Sequence, residues 1–107
     1  MTVRHGRNVH EGKGLTDMSE QTDIEARITE LRDRIDDVDC ELVKLLNERA
    51  EIALAIRELK PKVHLGLYDP RREEEIFAHL ASCNEGPLFA ENLREIYEAI
   101  LHVMKEL

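Results

Sequence analysis

Between residues 24 and 59 the apolar side chains recur at alternating steps of four and three: Ile24, Ile28, Leu31, Ile35, Val38, Leu42, Leu45, then Ile52, Ile56 and Leu59. That spacing keeps one stripe of a 3.6-residue helix apolar, so the stretch predicts a single helical seam. A helix over 22–59 would be roughly 55 Å long at about 1.5 Å per residue, far longer than a small domain is wide. It must pack beyond its own chain. One residue interrupts the stripe: four on from Leu45 stands Arg49, and three further the apolar pattern resumes at Ile52.

A chain of 107 residues that is 36% charged, with two Tyr, two Phe and no Trp, suits one helical domain rather than a two-layer sheet protein. Because a chain of this size that commits a third of itself to one helix buries little apolar surface alone, a homo-oligomer is expected. The formal charge of −8 argues against a nucleic-acid or anionic-membrane partner, either of which calls for a basic face. Any anion bound here must be drawn in by local cations. Cys40 and Cys83, without a signal peptide or an apolar run long enough to span a membrane, read as reduced thiols of a cytoplasmic protein.

Residues 1–21 hold three of the five glycines (Gly6, Gly12, Gly14) and no apolar periodicity, which predicts a disordered tail. Residues 22–107 form the expected domain. Thr22 or Asp23 can cap the first helix, with Glu25 favourable to its dipole, and Pro61 ends it, since the residue before a proline is disfavoured in helical conformation. A loop leads to Asp69 as N-cap and Pro70 as first residue of a second helix over about 70–82, whose inner face is Ile76, Phe77 and Leu80. Asn84-Glu85-Gly86-Pro87 turns the chain into a third helix from about 89 to the end, with Leu93, Ile96, Tyr97, Ile100, Leu101, Met104 and Leu107 inward. The fold class is all-α: three helices per chain, one very long.

Some charges do not fit a solvated surface. Arg49 on an apolar seam costs stability unless paired, so it meets either a buried carboxylate of the protein or an anionic ligand. Lys60 lies eleven residues on, and eleven steps of about 100° return to within about 20° of the same face, so the two cations can converge. Arg32, seventeen residues before Arg49, is some 25 Å away along the axis and rotated by about 100°. It can serve the same small site only from a second subunit, and is otherwise a surface residue. Arg72 and Glu73 would by default be ordinary charges of a helix start.

Leu31-Arg32-Asp33-Arg34-Ile35-Asp36 with Asp39, then Leu45-Leu46-Asn47-Glu48-Arg49, Lys60, and Asp69-Pro70-Arg71-Arg72-Glu73 together resemble the all-helical class of chorismate mutases, without a gap from about 24 to 107. The Asn84-Glu85-Gly86-Pro87 turn with Ile96-Tyr97 is also similar to mutase domains fused to, or associated with, 3-deoxy-7-phosphoheptulonate (DAHP) synthases. The resemblance implies an intertwined helical homodimer with two shared sites, no cofactor and no metal. By the same resemblance, Arg32 of one subunit and Arg49 of the other hold the two substrate carboxylates. Lys60 reaches a carboxylate and the ether oxygen, Glu73 accepts from the ring hydroxyl, and Asp69 and Arg72 frame the substrate. There is a departure: the family places a small or polar residue where Met104 stands, and one turn later a Gln or Glu to the ether oxygen, a position one past Leu107. The readings carried forward are a chorismate mutase of the shikimate pathway, a mutase-like module that binds and regulates a DAHP synthase, an isochorismate pyruvate-lyase, and a helical dimerisation module without chemistry.

Overall fold

The computed structural model of the chain describes residues 14–63 and 69–107. Helix α1 (Gly14–Leu59) is followed by a 3-10 turn (Lys60–Val63), helix α2 (Pro70–Cys83) and helix α3 (Ala90–Lys105). Among the described residues there is no strand, and the all-α, three-helix chain expected from the periodicity is the chain observed.

The start of α1 corrects the expected boundary at 22. Thr22 Oγ1 donates to the carbonyl of Met18 at 2.8 Å, so its hydroxyl serves a turn inside the helix and does not cap one. Ser19, Glu20 and Gln21 include no glycine or proline to stop the helix, which reaches back to Gly14. Residues 14–21 of the expected tail are thus helical, and residues 1–13 lie outside the described residues, as do residues 64–68, where the sequence led to the expectation of a loop. At the other end Pro61 falls in the 3-10 turn directly after Leu59, as its ring requires.

Helix α2 begins as its sequence dictates. Asp69 is extended (φ −138, ψ 97), and its carboxylate accepts from the amides of Arg71 at 3.1 Å and Arg72 at 3.3 Å, with Pro70 opening the helix. The helix ends one residue beyond the expected 82, and Asn84 builds the turn: its Oδ1 accepts from the Gly86 amide at 3.0 Å and its Nδ2 donates to the Leu88 carbonyl at 2.8 Å. Gly86 sits at φ +81, where a side chain would be strained. Before α3 the Phe89 amide donates to Asn92 Oδ1 at 2.9 Å, which satisfies a donor at the helix start.

The chain divides into two compact units, Met1–Leu45 and Leu46–Leu107. The described part of the first is α1 alone, where Ile24, Ile28, Ile35, Val38, Leu42 and Leu45 are all exposed and Leu31 is half-buried. The second unit holds the last turns of α1 with α2 and α3. Leu101 is buried there, and Ile76, Phe77, Leu80, Leu93, Tyr97, Ile100 and Met104 are half-buried, as the inner stripes predict. Ile96 and Leu107, also expected inward, are exposed. On α1 and the first residue of the turn after it, the half-buried line of this unit is Arg49, Ala50, Ala53, Arg57 and Lys60, while Ile52, Ile56 and Leu59 stay about half exposed. The unit covers a small-residue and cationic face of α1 and leaves much of the apolar stripe open.

Candidate active site

Within the second unit a cavity of about 620 Å³ opens between the end of α1, the start of α2 and the end of α3. Its apolar walls are Ile52, Ala53, Ile56, Ile76, Leu101 and Met104; its charges are Arg49, Arg57, Lys60, Asp69, Arg72, Glu73 and Lys105. Five cations thus face two carboxylates in a chain whose formal charge is −8. That local excess, set beside apolar walls, suits an anionic ligand of small-molecule size.

Each charged residue reaches the cavity through a different local device. Arg49 and Lys60 are both half-buried and line the same cavity, as their eleven-residue spacing on one helix face predicts. The Arg49 guanidinium carbon is 6.0 Å from the centroid of the Tyr97 ring, at the outer reach of a cation–π contact. No described carboxylate lies within ion-pair distance of Arg49. Of the two ways a seam arginine can be compensated, the described residues therefore do not supply the protein carboxylate.

The N-terminal turn of α2 presents Asp69, Arg72 and Glu73 together. Asp69 lines the cavity while its Oδ1 is committed to the Arg71 and Arg72 amides. Arg72 pairs with Glu75 at 3.6 Å in an exposed i,i+3 contact worth little by itself. The Glu73 side chain is 24% exposed, and its Oε2 stands 2.8 Å from Lys105 Nζ on α3. Arg32 belongs to the first unit, is exposed, and is not among the residues lining the cavity.

Arg57 and Lys105 were not singled out from the sequence. Arg57 donates through Nη1 to the carbonyls of Lys105, at 3.2 Å, and Leu107, so it clasps the end of α3 where carbonyls lack helical partners. A cation three residues before Lys60 and eight after Arg49 was the available signal for Arg57. Lys105 was hidden by the ordinary preference for cations in the last turn of a helix. Among the described residues no cluster of His, Cys, Asp and Glu could hold a metal ion, and no helix is long and apolar enough to cross a membrane. Cys40 and Cys83 are exposed thiols.

Comparison with known proteins gives a consistent set of relatives. Residues 31–107 match the family described as chorismate mutase type II. The chain is 39% identical over 83 residues, 75% of its length, to a bifunctional chorismate mutase/prephenate dehydratase of Aquifex aeolicus, of which it spans 21%. It is 32% identical over 60 residues, 55% of its length, to a chorismate mutase of Methanocaldococcus jannaschii, of which it covers 61%. The structure of chorismate mutase (form II) from Thermus thermophilus superimposes with a TM-score of 0.73 at 37% identity, covering 76% of this chain and 92% of that one.

Proposed function

This chain belongs to the chorismate mutase type II family, and on that premise we propose that it catalyses the rearrangement of chorismate to prephenate, a step toward phenylalanine and tyrosine. The observation that carries the reading is one cavity uniting Arg49, Lys60, Asp69, Arg72 and Glu73. Chorismate is a dianion, and its rearrangement is pericyclic: the ether C–O bond breaks as a C–C bond forms within the same molecule. No nucleophile or metal takes part. A catalyst has to hold the compact chair form and stabilise negative charge growing on the ether oxygen, which is positioning and electrostatic preorganisation.

In this reading Arg49 binds one carboxylate through its planar fork, a geometry that lysine cannot reproduce. Lys60 meets a carboxylate and the ether oxygen. Glu73 accepts from the ring hydroxyl through a carboxylate oxygen, and Asp69, while capping α2, holds Arg72 and Glu73 at the cavity edge. Arg32 of a second copy supplies the other carboxylate clamp. The support for a second copy is the exposed apolar stripe Ile24, Ile28, Ile35, Val38, Leu42 and Leu45 on the same helix as Arg32. Pairing two such stripes in an intertwined homodimer removes them from water and delivers Arg32 to a partner's cavity. The protein acts in the cytoplasm in this reading.

Exposed Leu88 (45%) and Phe89 (72%), directly after the Asn84–Gly86 turn, favour one second reading, in which that corner docks on a DAHP synthase. A size shift on mixing the two proteins would support it. The primary reading is tested by following loss of chorismate absorbance with formation of prephenate. Saturable turnover is expected, and its absence from folded dimer contradicts the reading; pyruvate release from isochorismate instead would mark a lyase.

A further inference from the structure

We propose that Lys105 is a positioning residue for Glu73, one that makes the cavity acceptable to a dianion. The inference rests on the chorismate mutase reading and goes beyond it, because it concerns a side chain whose neighbour is set by tertiary packing. Three observations carry it. Lys105 Nζ lies 2.8 Å from Glu73 Oε2, and the Glu73 side chain is only 24% exposed, so the pair is partly withdrawn from water. The other carboxylate of the cavity, Asp69, has its Oδ1 held by the Arg71 and Arg72 amides of its own helix start, so Glu73 is the cavity carboxylate whose position is set by a side chain of α3. Arg57, on α1, holds the carbonyls of Lys105 and Leu107, which anchors the backbone from which Lys105 reaches across to α2.

The consequence follows from charge. A glutamate facing an incoming dianion repels it in the ground state and the transition state alike, so an uncompensated Glu73 would weaken binding more than it slows the chemical step. Lys105 cancels that charge. It also ties down Oε2 and leaves Oε1 to accept the ring hydroxyl, which fixes the carboxylate rotamer before substrate arrives. Lys105 need not touch the substrate for this.

The test is a double-mutant cycle on the full chain, read as KM against kcat for chorismate, with a thermal melt of each variant to verify folding. Lys105→Gln is expected to raise KM about tenfold while kcat changes less than about threefold; Lys105→Arg should keep KM within about threefold of wild type. In a Glu73→Gln background, where there is no carboxylate to position, adding Lys105→Gln should raise KM by a clearly smaller factor than it does in the wild type. An unchanged KM in Lys105→Gln, or an equal rise in both backgrounds, overturns the assignment and leaves the mutase reading standing. Absence of turnover in the wild type overturns that reading and Lys105's role with it.

Discussion

Residues 14–45 and 46–107 carry the same apolar periodicity and put it to different use. In the first region every residue of the stripe except Leu31 is exposed, whereas in the second α2 and α3 fold back and bury Leu101 and half-bury most of their inner faces. An apolar stripe is therefore a demand for a partner surface, and the chain meets that demand itself only in its second region. The unmet part is substantial: each Ile, Val or Leu left in water forgoes on the order of 1 kcal/mol or more. Summed over the six exposed positions of the first region, that approaches the whole stability of a small domain. The second region, by contrast, covers Arg49 and Lys60 while leaving Ile52 and Ile56 about half open, the arrangement that the proposed site calls for.

The sharpest way to separate site from seam is Arg49→Leu. If Arg49 is held for a substrate carboxylate, its replacement should lower turnover by about 10³-fold or more while the melting temperature stays level or rises. A structural ion pair predicts the reverse, since stranding a buried carboxylate costs roughly 3–5 kcal/mol. Next in size is ligand protection: a dianionic transition-state analogue at a hundred times its Kd should stabilise the wild type by about 2.7 kcal/mol and leave Arg49→Leu unprotected in parallel melts.

Smaller effects test how each region is built. Asp69→Ala should cost about 1 kcal/mol in urea unfolding with an unchanged slope, and Asp69→Asn should recover most of it, because Asn also accepts from the amides of Arg71 and Arg72. Thr22→Ala should shift stability by less than about 0.5 kcal/mol, since the hydroxyl bonds back to Met18 within α1. A loss near 1 kcal/mol would restore Thr22 as a cap. Starting the chain at Met18 should leave melting and turnover nearly unchanged, and a clear loss in either would show that residues 1–17 dock on the body.

What could be read from the sequence was local or periodic. Asp69 and Pro70 announce a helix start because capping acts over three residues, and Arg49 stands out because it breaks a pattern that its neighbours obey. Thr22 misled because a threonine can cap a helix or bond to the carbonyl four residues back, and the lack of glycine or proline in 19–21 permits the helix to continue without requiring it. Ile96 fits the inner stripe of α3 yet is exposed, since a stripe is wider than the surface available to cover it. Lys105 and Arg57 escaped altogether. A cation near a helix C-terminus satisfies the dipole in any sequence, and only the return of α3 toward the start of α2 brings Lys105 to Glu73.

The claim on which the two regions depend is that the stripe and Arg32 of one chain complete the cavity of another, and mixed dimers test it most directly. Arg32→Ala and Arg49→Ala proteins, each inactive alone, are combined at equal concentration and allowed to exchange subunits, with heterodimer formation verified by mass spectrometry. Half of the dimers should then be mixed, and each should hold one intact site, so about a quarter of wild-type activity should return. Full exchange with no recovery would contradict the shared site, and with it the role assigned to the first region of the chain.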